Sequence, residues 1–123
     1  MLELNRLVKY WNQHSSAVTL PSYLLETLLV NYAQFKIIPE RMNERFKNAL
    51  EYVRDNIFNP VSDMKGIQGN INDIPVDDKE SFCNAADGVI SKSDLAIARE
   101  KDGYDETALQ IWHAILGENF PTE

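Results

Sequence analysis

Leucines at 24, 25, 28 and 29, with Tyr32 beyond them and Pro21 in front, decide most of what this chain can become. A strand would send Leu24 and Leu25, and again Leu28 and Leu29, to opposite faces. A helix gathers all five side chains into one broad stripe. Pro21 suits the first turn of such a helix, where a missing N–H costs nothing. A helix this apolar is expected to be the central, most buried element.

The same periodicity recurs on either side. Leu4, Leu7, Val8 and Trp11 fall at i, i+3, i+4 and i+7, which predicts a helix over about residues 2–14, broken at Ser15-Ser16. Pro39 is expected to start a third helix, with Met42, Phe46, Ala49, Leu50 and Val53 as its stripe. A fourth carries Phe82, Ala86, Val89 and Ile97 inward, with Asp77 or Asp78 as its cap. Asp102-Gly103 reads as its C-cap and turn. A fifth carries Ala108, Ile111, Trp112 and Ile115, ends at Gly117 and is followed by Phe120-Pro121. Between the third and fourth, residues 59–78 hold Pro60, Asp63, Gly66, Gly69, Asn70, Asn72, Asp73 and Pro75, all turn formers. A loop of that length inside a small domain is expected to be ordered and Ω-like. The fold class is therefore all-α: a single domain over residues 1–123, five helices and one long ordered loop over about residues 59–78. Pro60-Val61 is the one place for a short extended piece.

The single cysteine, Cys83, excludes an internal disulfide and fits a reducing compartment. No apolar run approaches ~20 residues and no signal-peptide pattern opens the chain, so a cytoplasmic protein without a membrane span is expected. The net charge of −7 argues against strong nucleic-acid binding by this chain alone. The charge is uneven. Residues 1–54 carry seven Lys/Arg against five Asp/Glu, or +2, and residues 55–123 carry five against fourteen, or −9. A mildly basic first half suits a phosphate-containing ligand, and the acidic half suits either that division of labour or plain solubility.

Arg6, Lys9 and Gln13 share the helix face opposite Leu4, Leu7 and Trp11. Two cations one turn apart can grip a polyphosphate, Arg as a fork and Lys as a point charge. The spacing alone equally describes a solvated face. Ser22 and Tyr23 fall in the first turn of the second helix, where free N–H groups and a hydroxyl can meet a base edge and a ring can stack on it. The plainer alternative is a helix-start serine and a half-buried aromatic. Asp63 can close an Asx-type turn on its own backbone, helped by Gly66 and Gly69. Lys65 and Ile67 stand where a calcium loop needs oxygen ligands, so that function is excluded. Cys83 reads as a small core residue, His14 and His113 lie on different helices, and no zinc spacing, nucleophile triad or phosphate-binding glycine loop is present.

Taken in order, these segments carry a pattern. Arg6-Leu-Val-Lys-Tyr-Trp11, then Leu20-Pro-Ser-Tyr-Leu-Leu-Glu-Thr-Leu28, resembles the oligoadenylate synthetase and cyclic GMP-AMP synthase-like nucleotidyltransferase superfamily, whose bacterial members are the CD-NTases of anti-phage defence. Asn59-Pro-Val-Ser-Asp63 with Gly69-Asn70 is similar to that family's Pro-Val-x-Asp-Pro…Asn loop, with Met64 in place of the second proline. Ala108…Trp112…Leu116-Gly117…Phe120-Pro121 resembles its closing helix.

The resemblance is to the family's helical C-terminal domain, which faces a polymerase-like palm across a nucleotide cleft. It implies a nucleotide triphosphate ligand, with Arg6 and Lys9 toward the triphosphate, Ser22 reading the base and Tyr23 stacking on it. It also implies magnesium, nucleotide triphosphate and a catalytic palm as requirements of a complete enzyme. The palm's Gly-Ser turn and paired strand carboxylates are absent from residues 1–123, so no catalytic residue is assigned and the chain alone is not expected to transfer nucleotides. The alternative is a stand-alone, non-catalytic helical module that binds a nucleotide or a protein.

Overall fold

The computed structural model describes residues 2–14, 18–35, 41–63, 65–67 and 69–116. Five helices run in order: α1 (Leu2–His14), α2 (Ser22–Phe35), α3 (Met42–Asn56), α4 (Val76–Lys101) and α5 (Asp105–Leu116). No strand is present among the described residues, and the architecture is the expected all-α bundle. Ser15, Ser16, Pro39, Met64, Gly117, Phe120 and Pro121 lie outside the described residues.

The stripe residues of the first three helices are buried as their spacing requires: Leu4, Leu7, Val8 and Trp11 on α1, Leu24, Leu25, Leu28, Leu29 and Tyr32 on α2, Met42, Phe46, Ala49, Leu50 and Val53 on α3. α2, however, is not the best-connected helix: among the described helices it meets α1 and α3, whereas α1 meets α2, α3 and α5, and α3 meets α1, α2 and α4. An apolar surface says how much a helix buries, while its neighbours are set by connections elsewhere in the chain. Trp11 meets Phe82 edge-on at 5.8 Å and Phe46 meets Trp112 edge-on at 6.3 Å, so aromatic pairs join α1 to α4 and α3 to α5. Fully burying a side chain such as Phe46 contributes about 1.5–3 kcal/mol.

Three boundaries differ from expectation. Pro21 precedes α2, and its carbonyl accepts the Leu25 N–H at 3.1 Å. The loop runs over residues 57–75, and α4 starts at Val76 with Pro75 in the cap position. Asp77 and Asp78 therefore sit inside the first turn, where their charge still favours the helix start but caps nothing. On α4 the deepest positions are Phe82, Ala86, Ile90, Ser93 and Ala96, with Val89 and Ile97 half-buried beside them. The 26-residue helix rises about 39 Å and is covered by α3 on one side and α5 on another, which shifts its buried stripe.

The end of α4 agrees with its sequence. Gly103 takes φ +86° and donates to Glu100, and Tyr104 donates to Arg99, the paired bonds of a Schellman stop.

The long loop is held from within. Asn72 Nδ2 donates to the carbonyls of Ile57 and Asn59, both at 2.7 Å. Asn70 Oδ1 accepts the N–H groups of Val61 and Asn72. An antiparallel bridge joins Ser62 to Asn70, giving the short extended piece expected beside Val61. Buried Val61 anchors this segment on the core.

Candidate nucleotide-binding face on the first two helices

α1 leaves Arg6 and Gln13 exposed, with Lys9 half-buried on the same face. Arg6 has no hydrogen bond or ion pair among the described residues. Lys9 Nζ pairs with Glu26 Oε1 across the α1–α2 contact. Glu26 lies one turn after Ser22 and Tyr23 on α2, so this pair brings the cationic face of α1 beside the start of α2. Ser22 is exposed and is the first helical residue. The N–H groups of this first turn have no carbonyl one turn earlier to bond, and the helix dipole favours negative charge there.

Tyr23 is half-buried, and its hydroxyl donates to Asp63 Oδ1 of the long loop. Thr27 Oγ1 donates to the Tyr23 carbonyl at 2.9 Å, which steadies the backbone under the ring. The bond to Asp63, then partial desolvation and the nearby carboxylate charge, raise the Tyr23 phenol above its usual value of 10.0. The hydroxyl is thus engaged within the fold.

Asp63 is almost wholly buried. Its Oδ1 also accepts the Lys65 N–H at 3.1 Å, and its Oδ2 the Ile67 N–H at 3.2 Å. Gly66 donates to the Asp63 carbonyl, and Gly66 and Gly69 both take φ +70°, a conformation glycine adopts without strain. The Asx-type turn is thus present, as the sequence predicts.

Glu26 and the Tyr23–Asp63 link were not legible in the sequence. Asp63 carries a turn signal, but nothing local says that a ring forty positions earlier will reach it. A second polar cluster was missed for the same reason. Glu100 Oε2 accepts Arg41 at 2.8 Å and Asn43 at 2.7 Å, while its Oε1 accepts the Trp112 indole N–H at 3.0 Å. This joins the start of α3, the end of α4 and α5, and its work is structural.

No group of three or more His, Cys, Asp or Glu side chains gathers as a metal site among the described residues. Cys83 is half-buried, and burial first, then neighbouring carboxylates, raise its thiol above the usual value. His14 stacks on Tyr10 and lies within hydrogen-bond reach of the Tyr10 carbonyl, 2.9 Å from its Nδ1, so it helps end α1. No described helix is long and apolar enough to cross a membrane.

The class so defined is an all-α domain with a cation-bearing helix face set against a helix start and an oriented tyrosine. Over 122 residues, 99% of its length, the chain is 35% identical to a probable cyclic nucleotide synthase of Bacillus cereus (strain VD146). It spans 37% of that relative's length. No protein-family model matches the chain.

Proposed function

We propose that this chain is the nucleotide-holding helical part of a nucleotidyltransferase of the oligoadenylate synthetase and cyclic GMP-AMP synthase-like superfamily, related to the bacterial CD-NTases. The observation that carries this is the likeness to a probable cyclic nucleotide synthase over 99% of the chain but only 37% of the relative. A match of that shape is what one part of a two-part enzyme produces.

In this reading Arg6 and Lys9 hold the phosphates of a nucleotide triphosphate. Arg6 is exposed, and Lys9 can exchange Glu26 for a phosphate because both partners are partly solvated. Ser22 and the first turn of α2 meet the base edge, and Tyr23 stacks on the base through its ring. Bond making lies with a catalytic palm and its magnesium ions, which belong to another part of the complete protein. The product class is a cyclic or linear oligonucleotide messenger, its setting anti-phage defence and its compartment the cytoplasm.

The test is direct. The chain, titrated with ATP or GTP and followed by NMR, should show saturable shifts on α1 and the start of α2. Arg6→Ala and Tyr23→Ala should each weaken them. With magnesium and nucleotide it should form no oligonucleotide. Product formation by this chain, or shifts confined to other faces, would overturn the reading.

A further inference from the structure

Two ends of the Tyr23 side chain are restrained by different parts of the fold. Its backbone end sits in the first turn of α2, under the Thr27 hydrogen bond. Its hydroxyl end is held by Asp63, from a loop forty residues away in sequence. Asp63 cannot follow a moving ring. The residue is 7% exposed and its carboxylate already accepts the Lys65 and Ile67 N–H groups, so any swing would strip those hydrogen bonds.

We propose that Asp63 is a positioning residue of the nucleotide site, fixing the Tyr23 ring in the orientation that stacks on a nucleobase. This rests on the nucleotide-binding reading above. A surface tyrosine that rotates about two torsions loses that freedom when a base stacks on it, which weakens binding. A ring already held at both ends has lost it on folding. A hydrogen bond to a carboxylate is also stronger than one to a neutral acceptor, which makes Asp63 a firmer stop than an amide. Base preference then comes from the ring face and the α2 start, because the tyrosine hydroxyl is occupied. Asp63 reaches the ligand face through the Tyr23 hydroxyl.

Four variants separate this proposal from the one beneath it, with ATP as the probe and binding followed by NMR. Tyr23→Phe keeps the ring and the loop but removes the tether. Asp63→Asn keeps one oxygen for the Tyr23 hydroxyl, as a weaker acceptor, and sets its amide NH2 against the Ile67 N–H. Each should weaken ATP binding about 3- to 10-fold. The double variant should be no weaker than the worse single one, since both remove the same link. The ring-current shift of the base protons in the saturated complex should shrink in both, a signature that mere loss of stability does not produce in folded protein. If Tyr23→Ala weakens binding while Tyr23→Phe binds and shifts the base protons like the parent, Asp63 does not position the ring and the proposal fails, with the nucleotide site intact. If Tyr23→Ala also binds ATP like the parent, the site assignment fails and takes the proposal with it.

Discussion

Trp112 Nε1 donates to Glu100 Oε1 at 3.0 Å, a bond that links α5 to the end of α4 while the other carboxylate oxygen holds the start of α3. Glu100→Ala would leave the buried indole N–H and Asn43 Nδ2 without this acceptor. Hydrogen bonds to a charged group contribute about 1.5–3 kcal/mol, so Glu100→Ala should destabilise by about that much. Glu100→Gln, which keeps a carbonyl oxygen, should cost less. Urea unfolding of both variants measures the difference, and equal stabilities for parent and Glu100→Ala would refute it.

Gly103 offers a cleaner case of backbone cost. A Cβ there would meet nothing within 4 Å, so Gly103→Ala adds no clash. Its positive φ is the whole penalty, about 1–2 kcal/mol. Thermal and urea melts should show that loss without any change in helix content at low temperature.

The phenol of Tyr23 predicts a pH dependence. Its pKa is raised on folding, so the protonated hydroxyl stabilises the fold fully below its usual value of 10.0. That contribution is lost as pH rises through the higher folded value, because the phenolate can no longer donate to Asp63 and meets its carboxylate charge. Stability measured from pH 8 upward should fall beyond pH 10, and Tyr23→Phe should flatten that part of the curve.

Cys83 has a raised thiol pKa for a different reason, since burial disfavours the thiolate. Its alkylation by iodoacetamide at neutral pH should be slower than that of a small free thiol, and should reach the free rate in denaturant. Fast labelling of the native chain would show the side chain to be open.

The Lys9–Glu26 pair is partly solvated, with side-chain exposures of 29% and 43%, and such pairs contribute about 0–1 kcal/mol. Lys9→Gln should therefore leave the melting temperature nearly unchanged while weakening ATP binding, more at low salt than at high salt. A large stability loss without any effect on ATP would assign Lys9 to packing alone.

Helix positions were legible because periodicity is local. The Leu24–Tyr32 stripe, the turn at Asp63 and the stop at Gly103 each depend on a few consecutive residues and their torsions. The starts of α2 and α4 differ from expectation, because Pro21 and Pro75 stand just before their helices, which leaves Asp77 and Asp78 inside the first turn of α4. The candidate site was legible as residue types on two helix faces, Arg6 with Lys9 and Ser22 with Tyr23.

The sequence by itself determined that this chain is helical, where most of its helices run and which stripes they bury. Only the tertiary structure decided that α1 and α3 each meet three other helices while α2 meets two, that Glu26 faces Lys9, and that Asp63 holds Tyr23 across forty residues of chain. The physical reason is range. Helix and turn preferences are set by neighbours within a turn or two, whereas the partner of a polar side chain is chosen by how distant stripes pack together.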